Sequence, residues 1–268
     1  MVMSNISEVT DAHKLQGLYW PFLALAGGCE EVVGSVAGAF ERENRHYSVL
    51  RFVFRGPATS TPPIRLGLFA LLHGDEPAGA LGLQGLLASL VDDPAPARGY
   101  ELTLYPVCNP TGFEDGTRHN RAGYDLNREF WRNSEQPEIS ILERELRTRN
   151  FDGIIALHAD DTSDGLYGYT QGRVMNENLL VPALRASEHV LPVNRATIID
   201  GFPAEEGIVA DCFDGILAPP PEQRPRPFEI IFETPAAVPL ARQAEAVGCA
   251  LKAVLNEYRG FIAQGANL

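Results

Sequence analysis

Along most of its length, this 268-residue chain alternates short apolar runs with longer segments in which apolar residues recur at helical spacing. Strands that alternate with helices form mainly parallel or mixed sheets with helices packed on their faces. We therefore expect an α/β fold with a mixed, mostly parallel central sheet and helices on both faces. No internal repeat and no long linker interrupts the pattern, so residues 1–268 are predicted to form a single domain.

Five apolar runs are rich in aliphatic and β-branched residues and are predicted to be strands: 47–54, 64–72, 101–107, 153–157 and 228–232. Four segments with helical spacing are predicted to be helices: 76–91, 134–150, 176–190 and 240–258. Ser134 is the expected cap of the second of these helices. The polar segment 111–123 and the proline-rich segment 218–227 are expected to be loops.

Charge and cysteine spacing exclude several classes of protein. The chain has 22 basic and 35 acidic side chains, and its formal charge is −13. Binding to nucleic acid or to an anionic membrane requires clustered Lys and Arg, so we expect neither partner. Cys29, Cys108, Cys212 and Cys249 lie far apart without a CxxC pair, and they are predicted to be reduced, buried thiols.

The sequence also predicts where the protein is located. The N-terminal residues carry acidic side chains and lack a basic stretch followed by an apolar one, so no signal peptide is predicted. The longest apolar runs, such as the one that begins at Leu66, are far shorter than the roughly 18 residues that a membrane span needs. Cytoplasm is therefore the expected location.

Titratable side chains collect where the predicted strands end. His73 and Glu76 follow the second predicted strand, His158 follows the fourth, and Glu233 follows the fifth. Because active sites form at the carboxyl ends of parallel strands, we expect these four residues to share one edge of the sheet. Two imidazoles and one carboxylate are the protein ligands of many catalytic zinc sites, which leave a fourth position for water. Each residue alone is more often a capping or surface group, so the prediction depends on the convergence of three segments.

The segment 116–128, GTRHNRAGYDLNR, adds three arginines between these strand ends. Guanidinium groups bind carboxylates through paired hydrogen bonds and can stabilise an oxyanion. By composition alone, a solvated and charged loop is the more common explanation of such a segment. Its position between the candidate ligands is what makes it a candidate substrate-binding segment.

In their order along the chain, four motifs resemble the zinc carboxypeptidase superfamily. They are HGDE at 73–76, NPTGFEDGTRHNRAGYDLNREF at 109–130, LHAD at 157–160 and FETP at 232–235. The superfamily includes the metallocarboxypeptidases and, as a divergent branch, the succinylglutamate desuccinylase/aspartoacylase enzymes. The stretch Asp-Leu-Asn-Arg at 125–128 is specific to this pattern. The sequence between the motifs is not recognisable.

This resemblance implies a metal site. His73, Glu76 and His158 correspond to the ligands of one Zn²⁺ per chain. Asp125 corresponds to a carboxylate behind the ligands, which orients a ligand histidine and supports its basicity.

The resemblance also implies four residues that act on the substrate. Arg118 corresponds to the arginine that polarises the scissile carbonyl and holds its oxyanion. Glu233 corresponds to the general base that later protonates the leaving amine. Asn127 and Arg128 correspond to the pair that binds the terminal carboxylate of the substrate.

Together these roles imply a zinc-dependent hydrolase that cleaves an amide bond next to a free carboxylate, with a metallocarboxypeptidase acting on peptides as the leading hypothesis. An N-acyl-amino-acid deacylase of the desuccinylase/aspartoacylase type would use the same residues, because its substrates also carry a free carboxylate. The short stretch after the last predicted helix lacks room for the C-terminal β-domain of such deacylases, which favours the peptidase. A non-catalytic protein that keeps the fold is a third hypothesis, opposed by the intact ligands and base. Tyr167 and Tyr169 are candidate pocket residues, and the oligomeric state is not predicted.

Overall fold

The computed structural model describes residues 13–265, so the N-terminal segment that carries the signal-peptide prediction lies outside the described residues. Within this range, ten strands form the sheet: β1 (Val32–Arg42), β2 (Arg45–Arg55), β3 (Ile64–Ala70), β4 (Tyr100–Tyr105), β5 (Gly153–Asp160), β6 (Tyr167–Thr170), β7 (Ile198–Ile199), β8 (Phe202–Glu205), β9 (Ile208–Val209) and β10 (Phe228–Pro235). The described α-helices are α1 (His13–Gly28), α2 (Ala78–Asp92), α3 (Pro110–Asp115), α4 (Pro137–Arg149), α5 (Arg173–Met175), α6 (Val181–Ser187) and α7 (Leu240–Gly265).

The strands follow the order β1-β2-β4-β3-β5-β10-β6-β9-β8-β7. The four strands β4, β3, β5 and β10 are parallel to one another and form the centre of the sheet. The ribbon of β1 and β2 on one side, and β6 on the other, run antiparallel to the strands beside them. The predicted mixed α/β sheet is therefore confirmed, with its parallel strands at the centre.

Alternate side chains of the central strands enter two cores, one on each face of the sheet. Leu66 and Ile155 pack into the larger core with apolar residues of α1, α2, α6 and α7. Phe69 and Ile154 pack into the other core with apolar residues of α4. Because both faces are covered, these strands are mostly apolar, as is usual for buried parallel strands. Helices thus cover both faces, as predicted.

The structure changes the predicted ends of three strands. β5 and β10 remain paired through Asp160 and Pro235, three residues beyond the predicted ends, because the ladder continues where the apolar runs stop. β3 instead ends at Ala70, because Leu71 adopts a φ of 52°, which is outside the strand region. As a result, His158 and Glu233 lie inside their strands and not after them.

Two local predictions in the connecting segments are wrong. Ser134 does not cap α4, which begins at Pro137 because a proline, lacking an N–H, fits the first helical position. The Ser134 hydroxyl instead donates to the Glu129 carboxylate at 2.6 Å. The predicted loop 111–123 contains the helix α3, whose first turn is capped by the Asn109 side chain at the N–H of Gly112 (2.9 Å).

The remaining predictions are confirmed only in part. The predicted helix 176–190 begins earlier, at Arg173, and contains a π-helical turn, Asn176–Leu180, directly before α6. All four cysteines are free thiols, but only Cys108 is fully buried. Cys29 and Cys212 are partly exposed because they lie in connecting segments, and Cys249 lies at the margin of the buried face of α7. Among the described helices, none combines the length and apolarity needed to cross a membrane.

Candidate active site

The three predicted metal ligands converge at the carboxyl edge of the parallel strands. Nδ1 of His73 lies 2.6 Å from Oε1 of Glu76, and Nδ1 of His158 lies 2.9 Å from Oε2 of Glu76. The two Nδ1 atoms are 3.2 Å apart. All three residues are buried, and their potential ligand atoms lie within 4.8 Å of one another. Two imidazoles and one carboxylate directed at one point fit a single divalent metal ion of the catalytic zinc type.

Close backbone contact holds the loop that carries His73 and Glu76. A Cβ atom at Gly74 would lie 2.0 Å from the carbonyl carbon of Gly112, so only glycine fits at this position. The N–H of Gly74 donates to the carbonyl of Arg118 at 3.3 Å. The ligand loop is therefore packed directly against the segment that supplies the arginines.

Asn109 joins these two segments through its side chain. Its Nδ2 donates to the carbonyls of Leu72 and Arg118, each at 3.3 Å, while its Oδ1 caps α3. No role was predicted for Asn109 from the sequence. The one signal that could have indicated it is the Asn-Pro pair directly after a predicted strand, which is typical of a helix cap followed by proline at the first helical position.

Asp125 contacts two of the predicted site residues, the candidate metal ligand His73 and Arg118. Its Oδ1 accepts from Nε2 of His73 at 3.1 Å and from the N–H of Asn127 at 3.0 Å. Its Oδ2 accepts from Nε and Nη2 of Arg118 at 3.2 and 3.1 Å. A carboxylate at Nε2 fixes the histidine tautomer and leaves Nδ1 available as a ligand.

Burial and pairing perturb the titration of the three ligands. Burial opposes ionisation of Glu76, but hydrogen bonds from His158 and His73 outweigh it and hold the pKa of Glu76 well below its usual value. Burial alone would lower the pKa of His73, but hydrogen bonds to Asp125 and Glu76 outweigh burial and raise this pKa. Burial lowers the pKa of His158. Near neutral pH, Glu76 is thus ionised and His158 neutral, the forms in which each can bind a metal.

Glu233 lies in the ladder beside the metal ligands. Its register partners are His158 on β5 and Tyr167 on β6. Burial raises the pKa of Glu233 well above its usual value, and the charges of Glu76 and Asp200 raise it further. A carboxyl group with a raised pKa is suited to accept and return a proton near neutral pH.

Two of the predicted arginines line the cleft in different environments. The side chain of Arg118 is 43% exposed, and its Nη1 lies 3.5 Å from Oε1 of Glu76. The guanidinium of Arg128 lies 4.2 Å from the ring centroid of Phe213 and donates to the carbonyl of Asn127 at 2.8 Å. Among the described residues, no carboxylate forms an ion pair with Arg128. Its positive charge is therefore available for an anionic ligand.

Asn127 is held on both sides of its amide. Its Oδ1 accepts from the N–H of Leu217 at 2.9 Å, and its Nδ2 lies 3.4 Å from Nε2 of His158. Asn127 is buried, but it still forms part of the cleft wall beside Arg128. The prediction that Asn127 binds a substrate carboxylate thus concerns a residue that also contacts a candidate metal ligand.

These residues surround a cleft of about 310 Å³. The cleft walls include the following predicted residues: His73, Glu76, Arg118, Asn127, Arg128, Glu233, Tyr167 and Tyr169. The Tyr167 hydroxyl donates to the carboxylate of Asp160 at 2.9 Å. Asp200 and Phe213 also line the cleft. Neither residue was predicted to be part of the site, because no structure was predicted for residues 191–217.

Comparisons with known proteins agree with this description. Residues 63–180 match the family model of the succinylglutamate desuccinylase/aspartoacylase catalytic domain. A candidate metallopeptidase from Shewanella denitrificans OS217 is similar in structure (TM-score 0.74, 21% identity, 91% of this chain and 90% of that chain). So is a metallo-carboxypeptidase from Burkholderia cenocepacia (TM-score 0.68, 17% identity, 89% of this chain and 68% of that chain). No curated protein matches the sequence.

A third solved structure represents the other branch. It is a succinylglutamate desuccinylase from Silicibacter sp. TM1040 (TM-score 0.57, 16% identity, 84% of this chain and 66% of that chain). The predicted resemblance to the zinc carboxypeptidase superfamily is thereby confirmed. The chain has the fold that metallo-carboxypeptidases share with the desuccinylase/aspartoacylase enzymes.

Proposed function

We propose that this protein is a zinc-dependent hydrolase that removes the C-terminal residue from peptides by cleaving the amide bond next to a free carboxylate. The observation that carries the proposal is the convergence of the His73, Glu76 and His158 ligand atoms within 4.8 Å. Two of these residues, His73 and Glu76, line a cleft together with Glu233 and Arg128. A metal donor set, a proton acceptor and a free cation are together the requirements of metal-assisted hydrolysis next to a carboxylate.

Substrate binding begins at the cation. Arg128 has no carboxylate partner among the described residues, so its guanidinium can bind the terminal carboxylate of a peptide through paired hydrogen bonds. Asn127 lies beside it in the cleft wall and adds an amide dipole. A carboxylate bound there fixes which amide bond of the peptide lies between Arg118 and Glu233.

The chain's own residues then move the proton and stabilise charge. A divalent metal held by His73, Glu76 and His158 supplies Lewis-acid activation when bound. Glu233 accepts a proton from the attacking water as the new C–O bond forms, and it returns that proton to the amide nitrogen as the C–N bond breaks. Arg118 stabilises the negative charge that develops on the carbonyl oxygen.

An N-acyl-amino-acid deacylase is the second candidate function. The match of residues 63–180 to the desuccinylase/aspartoacylase catalytic domain favours it. The same residues would act in the same order. The leaving amine is a free amino acid in both reactions, and the acyl product would be a simple carboxylic acid instead of a shortened peptide.

Three substrates distinguish these functions: an N-blocked dipeptide with a free carboxylate, its C-terminal amide, and a simple N-acyl amino acid. We expect kcat/KM of the zinc-loaded protein to be highest for the blocked dipeptide and about 10- to 100-fold lower for the amide, which lacks the charge that Arg128 binds. A higher kcat/KM for the N-acyl amino acid than for the dipeptide would contradict the peptidase function and support the deacylase function. Equal values for the dipeptide and its amide would contradict the role of Arg128.

The charge of the chain supports a proposal on its partners, and the lack of a predicted signal peptide supports one on its location. At a formal charge of −13, neither nucleic acid nor an anionic membrane is a suitable partner. We place the protein in the cytoplasm, where peptides are its substrates. Fractionation of cells that express the full chain tests this location, and recovery in the membrane fraction would contradict it.

A further inference from the structure

A second and larger cavity adjoins the catalytic cleft at the edge of the sheet. It has a volume of about 1190 Å³ and lies between β6, the β8–β9 hairpin and the segment from α5 to α6. Tyr169, Val209 and Asp211 line both this cavity and the catalytic cleft. We call it the β6 groove. None of the candidate metal ligands lines it, and it is not needed for the chemistry described above.

The wall of the β6 groove contains polar atoms that lack partners. The side chain of Thr170 is 2% exposed, and its hydroxyl has no hydrogen-bond partner. The Oδ1 atom of Asn176 is also buried without a partner. Buried polar atoms are normally hydrogen-bonded, so two such atoms in one groove indicate a ligand that both donates and accepts.

The backbone of β6 has a free edge at the same place. Its ladder with β9 consists of a single pair, Gly168 with Ile208, and the N–H of Gly168 donates to the carbonyl of Gly207 at 2.9 Å. Because backbone groups on one edge of a strand recur every second residue, Thr170 directs its N–H and C=O toward this same edge. There the ladder has already ended, and an unpaired strand edge is a template for an added strand.

We propose that the β6 groove binds the extended peptide segment that precedes the two residues flanking the scissile bond. This inference rests on the proposed peptidase function and narrows its substrates to chains longer than a dipeptide. A peptide backbone supplies both donors and acceptors, as the edge of β6, Thr170 and Asn176 require. The residues shared with the catalytic cleft make the two cavities neighbours, so one extended chain reaches both.

Charge in the β6 groove limits which peptides bind. Five carboxylates and three guanidinium groups line it. Two of the arginines are already paired, Arg173 with Glu177 at 2.6 Å and Arg195 with Glu188 and Glu206 at 2.7 and 3.0 Å. The excess negative charge favours peptides with neutral or basic upstream residues over acidic ones.

The test compares kcat/KM for N-acetylated peptides of two to six residues that share the same two C-terminal residues. For the zinc-loaded native protein, we expect the six-residue peptide to exceed the dipeptide by about tenfold or more, because remote binding energy is used in the transition state. Ala210→Trp, at an exposed position in the groove wall, should reduce this ratio to about one by filling the groove. Ala58→Trp, on an exposed loop, is the matched control and should leave the ratio unchanged.

A second variant keeps the test independent of steric damage. Thr170→Val preserves shape but removes the unpartnered hydroxyl, and it should lower the ratio by roughly threefold to tenfold. A ratio near one in the native protein, or a ratio unaffected by Ala210→Trp, would contradict peptide binding in the β6 groove. Neither result would contradict the proposed peptidase function. If no peptide of any length is hydrolysed, the proposed function fails and the groove inference fails with it.

Discussion

The parallel centre of the sheet and its edge beyond β6 are built in different ways. In the centre, β5 and β10 pair over eight residues and β3 and β5 over five. At the edge, β6 and β9 pair at a single position, and the ladders of β7 with β8 and of β8 with β9 each contain two pairs. The long ladders carry His158 and Glu233, whereas the short ones enclose the β6 groove.

Two sets of polar groups, one at the candidate active site and one at the edge, differ in the same sense. In the centre, the two oxygens of Asp125 accept four hydrogen bonds. At the edge, the Thr170 hydroxyl and the Asn176 carbonyl have none. A fully bonded carboxylate holds catalytic groups at fixed distances, while unpaired groups remain open to a ligand. The centre is therefore suited to chemistry and the edge to the choice of substrate.

The largest expected effect is loss of the metal from the centre. The native protein, purified without chelator, should contain about one zinc per chain, and His158→Ala should contain almost none and show no activity, because one of three ligands is gone. Elemental mass spectrometry measures this. His189→Ala, an exposed histidine on the edge side, is the control and should keep its metal. A His158→Ala protein that still holds zinc would contradict the ligand assignment.

Glu233→Gln should lower kcat by on the order of 10³ while metal content stays the same, since the amide cannot accept the proton. Steady-state kinetics with the blocked dipeptide, together with metal analysis, check this. The matched control is Glu257→Gln on the exposed surface of α7, which should behave as the native protein. Near-native activity of Glu233→Gln would mean that another group is the base.

Arg128→Met should lower kcat/KM by about 10- to 100-fold for substrates with a free carboxylate, which corresponds to the loss of a charged hydrogen bond. It should have little effect on the C-terminal amide of the same dipeptide. Arg132→Met is the control, because Arg132 is an arginine four residues further along the chain whose side chain is half exposed. An equal loss on acid and amide would indicate a structural role for Arg128 and no role in substrate recognition.

A glycine pair tests the packing of the centre. Gly74→Ala should destabilise the protein by roughly 1–3 kcal/mol, because the added Cβ meets the backbone of Gly112. Gly85→Ala, in α2 with open space around it, should instead stabilise by about 0.5–1 kcal/mol. Urea denaturation measures both changes in the free energy of unfolding. Equal effects of the two substitutions would refute the close contact.

The smallest expected effect is a shift in the pH profile. The negative charge of Asp200 raises the pKa of Glu233, so Asp200→Asn should lower it and move the acidic limb of kcat/KM to lower pH by up to about one unit. Asparagine tolerates the positive φ of 52° at this position. Asp214→Asn, which is almost fully exposed, serves as the control. A shift of the limb toward higher pH would contradict the assignment of Glu233 as the base.

The same division between centre and edge explains what the sequence could predict. The runs 64–72, 153–157 and 228–232 are mostly apolar because both faces of these strands are buried, so they were predicted as strands. His158 and Glu233 directly follow two of those runs, and the convergence of three such segments predicted the candidate metal ligands. The roles of Arg118, Asn127 and Arg128 came from the resemblance, since composition alone described a charged loop.

The edge offered no comparable signal. β7 and β9 contain two residues each, too few to show an alternating pattern. Away from this edge, the helix α1 was not predicted either, because Pro21 in its interior argues against a helix when the sequence is read alone. Asp200 and Phe213 thus reach the cleft from segments without regular periodicity. Phe213, for example, contacts the ring of Phe202 and the guanidinium of Arg128, and no local pattern encodes such contacts.

Asp125 contacts both a candidate metal ligand and the arginine that is proposed to act on the substrate carbonyl. One of its oxygens contacts the ligand His73 and the other contacts Arg118, so neither partner can change without altering the charge that the other experiences. Substitutions at His73, Arg118 and Asp125 will therefore be epistatic, and double variants will lose less than the sum of the single ones. Under the proposed roles, the affinity for the metal and the polarisation of the substrate carbonyl are coupled through this one carboxylate.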